Sequence, residues 1–76
     1  MLEVDIKFNN VEDIQKFVEI TSNCDYDIDL SIGKYVIDGK SIMGIFTLSL
    51  DKPIKMVAHS DRCDDLVKKL KEYHYL

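Results

Sequence analysis

The sequence predicts an α+β domain in which three helices cover one face of a four-stranded antiparallel sheet. This is a two-layer open-faced sandwich with the order β-α-β-β-α-β-α. Two observations carry the prediction. Apolar residues alternate with polar ones in several short segments, the period of a strand with one buried face. Between these segments apolar residues recur every three or four positions, the spacing of a helix that buries one side. With 76 residues, there is room for a single domain spanning 1–76.

Leu2, Val4, Ile6 and Phe8 alternate with Glu3, Asp5 and Lys7, which makes the first strand. Asn9 and Asn10 break that pattern. Asn10 suits an N-cap, and Asp13 three residues later makes a near capping box. Val11, Ile14, Phe17 and Val18 then give an inner face to a helix over 11–22, with Glu12 and Asp13 favouring its dipole and Asn23 as its stop. Tyr26, Ile28, Leu30 and Ile32 alternate as the second strand. Gly33-Lys34 turns the chain into a third strand over Tyr35, Val36 and Ile37, and Asp38-Gly39 ends the hairpin.

Ser41 is the expected N-cap of a short apolar helix from Ile42 to Leu50. Ile45 and Leu48 are its core candidates. Asp51-Lys52-Pro53 turns the chain, and Ile54, Met56 and Ala58 alternate as the fourth strand. Ser60 or Asp61 is expected to cap the last helix. Its inner face reads as Cys63, Leu66, Val67, Leu70 and Tyr73, and its lysines gather near the C-terminal end, where they suit the dipole.

Composition narrows the function classes. The chain carries 14 acidic and 10 basic residues, a net charge of −4, which argues against a direct nucleic-acid partner, since phosphate contacts need a basic face. Acids gather in Asp25, Asp27 and Asp29, and bases in Lys68, Lys69 and Lys71. The three aspartates alternate along a strand and read as a solvated face rather than a metal site. Cys24 and Cys63 lack metal spacing and are expected as reduced thiols. The alternating start is not a secretory leader, and the longest apolar stretch is too short to span a membrane, so a cytoplasmic protein is the expectation. There is no Gly-rich phosphate loop and no nucleophile motif, so no enzyme and no cofactor are expected.

At 39–50 the run Gly39-Lys40-Ser41-Ile42-Met43-Gly44-Ile45-Phe46-Thr47-Leu48-Ser49-Leu50 resembles the segment around the regulatory serine of HPr. HPr is the histidine phosphocarrier of the bacterial sugar phosphotransferase system. Lys40 to Gly44 carries the resemblance most specifically, and Asp27-Ile28-Asp29-Leu30 is similar to the family's second strand. The order of elements agrees with the HPr fold. The family's phosphate-accepting histidine lies before the first helix, in a Gly-x-His-x-Arg-Pro motif. The matching stretch here is Phe8-Asn9-Asn10-Val11-Glu12-Asp13, which puts Asn10 at the histidine, Glu12 at the arginine and Asp13 at the proline. An amide nitrogen has no free lone pair to attack phosphorus. Two carboxylates stand where a cation should hold the phosphate. Neither His59 nor His74 has an arginine or a glycine-rich cradle beside it in sequence.

The resemblance implies roles for the second segment. Ser41 matches the serine phosphorylated by a dedicated HPr kinase, after which the family's phospho-form binds a transcriptional regulator. Its plainer reading is a helix cap. Ile42, Met43 and Phe46, with Lys40 beside them, match the apolar patch that docks phosphotransferase-system components. Methionine suits such a surface, being flexible and polarizable. The plainer reading puts one or two of these side chains in the core. Protein partners are therefore expected, with a non-catalytic regulatory module as the leading reading. The alternatives are a phosphocarrier that uses an atypical site, and a structural or homodimeric domain that has lost both sites.

Overall fold

The computed structural model describes residues 1–48 and 52–76. Its elements are β1 (Leu2–Ile6), α1 (Val11–Ser22), β2 (Ile28–Ile32), β3 (Tyr35–Asp38), α2 (Ile42–Ile45), β4 (Ile54–Ala58) and α3 (Asp64–Glu72). The four strands form one sheet in the order β1-β4-β2-β3, antiparallel throughout. The predicted open-faced sandwich is the observed fold, with its core between the sheet and the three helices. Ile6, Ile28, Leu30, Ile54, Met56 and Ala58 supply the sheet side. Ile14, Phe17, Ile20, Ile45, Leu66 and Leu70 supply the helix side.

Alternation explains the sheet. Along β4 the buried residues Ile54, Met56 and Ala58 take turns with Lys55 and Val57, and the register carries this phase across the neighbours. Leu30 sits opposite both Met56 and Ile37, so the apolar positions of β4, β2 and β3 share a face. The other face carries Glu3, Asp5, Asp29, Ser31, Val36, Asp38 and Lys55, and it is largely polar. Gly33 has φ +58 at the first position of the two-residue turn between β2 and β3, where a type II′ hairpin needs a positive φ.

Helix α1 has the predicted limits because its caps are chemical. Asn10 Oδ1 accepts from the Asp13 amide at 2.9 Å, and Asp13 Oδ2 accepts from the Asn9 amide at 2.8 Å. The reciprocal bond thus reaches one residue further back than in a standard capping box. Asn23 closes the other end, its N–H donating to Ile20 O at 3.3 Å. Val11, expected on the inner face, is exposed at the first helical position. The inward stripe instead runs through Ile14, Phe17, Ile20 and Thr21.

The structure corrects other expectations. Tyr26 lies before β2 and is half-buried, while Phe8 is fully buried although β1 ends at Ile6. Regular helix in α2 covers Ile42–Ile45 only and gives way to turns through Leu48. Ser49, Leu50 and Asp51, which belong to the expected helix and the turn after it, lie outside the described residues. Neither Ser60 nor Asp61 caps α3. The N-cap position is Cys63, whose thiol donates back to Ser60 O at 3.2 Å, while Ser60 Oγ accepts from the Arg62 amide.

The end of α3 departs most from the sequence reading. Tyr73, an inner-face residue by helical spacing, is 43% exposed, and Tyr75 is buried instead. His74 adopts φ +63, the left-handed conformation. Its N–H donates to Lys71 O at 3.2 Å, and the Tyr75 N–H donates to Leu70 O at 2.9 Å. These two bonds make a Schellman ending. It reverses the chain and drops the Tyr75 ring onto Phe8 and Phe17, all three in edge-to-face contact at 5.2–5.9 Å between centroids. A β-carbon in the left-handed region costs roughly 1–2 kcal/mol, offset in part by the chain entropy of glycine. His74→Gly is therefore expected to stabilise the fold by about 0.5–1 kcal/mol, read as a higher urea midpoint at unchanged slope.

Candidate functional site

Two places were singled out by the sequence, the mouth of α1 and the start of α2. At the mouth of α1 the first turn is already occupied by its own chain. Asn10 holds the Asp13 amide, the Asp13 carboxylate holds the Asn9 amide, and the Tyr75 hydroxyl donates to the Asp13 carbonyl. Glu12 is exposed beside them. The dipole end that favours an anion is thus met by two carboxylates of the protein itself. No histidine is bonded to this turn among the described residues.

The two histidines sit elsewhere. His59 follows β4, and Ala58 pairs with Leu2, so His59 lies at the end of the sheet remote from Asn10. The four steps of β4 alone separate the two ends by roughly 13 Å. His59 Nε2 lies 2.7 Å from Asp29 Oδ2, with both side chains partly exposed, and the His59 amide donates to Asp27 O. Asp25 and Asp27 are exposed, so the aspartate series is solvated, with one member paired to a histidine. His74 lies at the same end of the molecule as Asn10, since its neighbour Tyr75 reaches Asp13, but it is exposed.

The start of α2 is held by contacts from three directions. Gly39 passes so close to β2 that a β-carbon there would come within 2.7 Å of the Ile28 side chain and 2.9 Å of its carbonyl oxygen. The Gly39 amide donates to that same carbonyl. The Gly39 carbonyl accepts from the buried Thr21 hydroxyl at 2.9 Å, which ties the loop to α1. Asp38 Oδ1 accepts the Lys40 amide, and Asp38 O accepts the Ser41 amide. In the sequence Asp38-Gly39 reads as the end of the hairpin, and nothing in the pair itself signals these bonds. Thr21, a polar residue on an apolar stripe, was the available sign of a bond across to another element.

Ser41 emerges from this scaffold half-buried, as the N-cap of α2. Its Oγ accepts from the Gly44 amide at 3.3 Å, and its carbonyl accepts from Ile45 at 3.0 Å. Met43 is 74% exposed and Phe46 42% exposed, while Ile42 is half-buried and packs against the core with the fully buried Ile45. Of the side chains expected in a docking patch, Met43 and Phe46 are the exposed ones. Lys40 does not project with them, because its Nζ donates to the Cys24 carbonyl just beyond the C-terminus of α1, 2.8 Å away.

Cys24 is half-buried, Cys63 is buried, and both are free thiols. Both approach the Tyr26 hydroxyl, whose pKa is pushed well above its ordinary value by burial first and by the two cysteines next. Among the described residues no three acidic, histidine or cysteine side chains converge as a metal site, and no helix is long and apolar enough to cross a membrane.

No protein-family model and no curated protein matches the sequence. Solved structures do match. The crystal structure of HPr-C-His from Thermoanaerobacter tengcongensis is similar at 25% identity, over 96% of this chain and 94% of that one, with a TM-score of 0.75. The phosphocarrier protein HPr from Bacillus anthracis str. Ames is similar at 20% identity, over 95% and 92%, with a TM-score of 0.66. The chain has an HPr-like fold along nearly its whole length.

Proposed function

We propose that this HPr-like chain is a non-catalytic interaction module of a phosphotransferase system, in which Ser41 is the phosphorylation site and Met43 and Phe46 are the docking surface. The observation that supports this most is the contrast between the two places just described. The mouth of α1 offers a carboxamide among carboxylates, while the start of α2 offers a half-exposed hydroxyl beside two exposed apolar side chains. A relay needs a nucleophilic ring nitrogen and a cationic cradle. A docking module needs an apolar anchor with a switch next to it.

Adding a phosphate at Ser41 changes this surface by charge. The Oγ now accepts one long hydrogen bond, and a phosphate there would add about −1.5 to −2 charge among the first amides of α2. Asp38, three residues earlier, would repel it, and Lys40 is already committed to Cys24. A phosphorylated form is therefore read by a cationic partner rather than stabilised within the chain. In this reading the partners are an HPr kinase and a regulator or transport component, in the cytoplasm.

The test uses the folded protein with an HPr kinase and labelled ATP. Wild type is expected to take up alkali-labile phosphate, and Ser41→Ala is expected to take up none. Ser41→Ala removes a cap worth about 1 kcal/mol, so its circular dichroism at the assay temperature is recorded alongside. Absence of label on wild type would remove Ser41 as a phosphorylation site. Met43→Ala with Phe46→Ala is expected to weaken capture of the partner at least tenfold with little change in stability, because both side chains are exposed.

A further inference from the structure

Strand β3 is one of the two outer strands of the sheet, and among the described residues no strand borders its far side. It is also the most exposed apolar segment of the sheet, with Tyr35 at 74% and Val36 at 63% exposure. Edge strands are usually protected by charge, proline or a bulge at their centre. Here the charges stand at the two ends of the segment instead, Lys34 before it and Asp38 closing it.

The hairpin settles which backbone groups face outward. Gly33-Lys34 is a two-residue turn, so its flanking residues Ile32 and Tyr35 form a hydrogen-bonded pair. Such pairs alternate along an antiparallel ladder, so Leu30–Ile37 is hydrogen-bonded and Ser31–Val36 is not. The Val36 N–H and C=O therefore point away from β2, at the middle of the edge.

We propose that β3 pairs antiparallel with β3 of a second copy of this chain, about a twofold axis at Val36. In this register Val36 faces Val36, Tyr35 faces Ile37, and Lys34 faces Asp38, the last two pairs each occurring twice. The segment from Lys34 to Asp38 is self-complementary in charge and in apolar character, which an isologous interface requires. The monomer also leaves something for the second copy to relieve. Asp38 lies directly opposite Asp29 across the β2–β3 ladder, and like charges so placed repel. Asp29 has His59 beside it, whereas Asp38 has only the Lys40 amide and no cationic partner among the described residues. A lysine arriving on the outer side of Asp38 offsets that repulsion. The two copies join their sheets into one of eight strands.

The interface is small, so the dimer forms at high concentration. Sedimentation equilibrium of wild type from about 10 µM to about 1 mM is expected to show the mass rising from 8.8 kDa toward twice that value. Val36→Pro removes the outward donor without touching a bond to β2, and it is expected to stay monomeric with an unchanged melting temperature. Lys34→Glu and Asp38→Lys each set like charges against each other twice, and each alone is expected to weaken the dimer about tenfold or more. Mixed in equal amounts, the two variants are expected to dimerise as wild type does. In the mixed pair the introduced glutamate of one copy faces the introduced lysine of the other, and the retained Asp38 faces the retained Lys34. That recovery shows that both variants are folded. Wild type that stays monomeric at the highest concentration would overturn the proposal. So would a Lys34→Glu protein that dimerises undiminished, or a mixture that fails to recover.

Discussion

Replacing Tyr75 with alanine is expected to cost about 3–5 kcal/mol, the largest loss of stability that any single truncation should cause near the end of this chain. A domain of this size holds only about 5–15 kcal/mol in total, so the variant should be largely unfolded at modest urea. Tyr75 is 5% exposed and touches Phe8 and Phe17 edge-on, so its ring fills the core between β1, α1 and α3. Tyr75→Phe separates ring from hydroxyl. It keeps the packing and loses the bond to the Asp13 carbonyl, and should cost about 1 kcal/mol. The hydroxyl also predicts a pH dependence. Burial first, and the Asp13 charge next, push the Tyr75 pKa up to about 12 from 10. The folded state then holds the proton more tightly than the unfolded state, so this contribution is complete below pH 10 and is lost as pH rises toward 12. Urea midpoints of wild type should fall across that window more steeply than those of Tyr75→Phe. Equal slopes would mean that the hydroxyl titrates as it does in the unfolded chain.

Tyr75 also shows where the sequence stops being legible. The strands could be read because burying one face imposes a period of two, and β4 keeps it without a fault over Ile54, Met56 and Ala58. Helix α1 could be bounded because Asn10 and Asn23 act through local hydrogen bonds. At the end of α3 the helical period carried the inner face on to Tyr73. The helix in fact stops one residue earlier, at Glu72, and the chain reverses at His74. Glycine usually marks such a reversal, and histidine in that slot gives no signal. The site divides in the same way. Ser41 as a cap and Met43 as an exposed apolar residue follow from local pattern. The bonds from Lys40 Nζ to Cys24 and from Thr21 to Gly39 join residues 16 and 18 positions apart, and spacing does not encode them.

The mouth of α1 makes a second large prediction. Incubated with enzyme I and phosphoenolpyruvate, wild type is expected to acquire no acid-labile phosphate. Asn10→His alone is expected to accept phosphate poorly, and Asn10→His with Glu12→Arg at least a hundredfold faster than the single variant. The chemistry has two separate requirements. The imidazole nitrogen attacks phosphorus while the donor's phosphorus–nitrogen bond breaks, and Asn10 lacks that lone pair. The transferred group then carries negative charge, which the exposed Glu12 repels and an arginine would hold. Removing Asn10 also frees the Asp13 amide, now bonded to Asn10 Oδ1 at 2.9 Å, to donate to a phosphate oxygen. Asp13 itself is kept, because its carboxylate holds the Asn9 amide. Equal rates for the single and double variants would show that the acids do not oppose transfer. Acid-labile phosphate on wild type would move the function to His59 or His74, and of these only His74 shares an end of the molecule with Asn10.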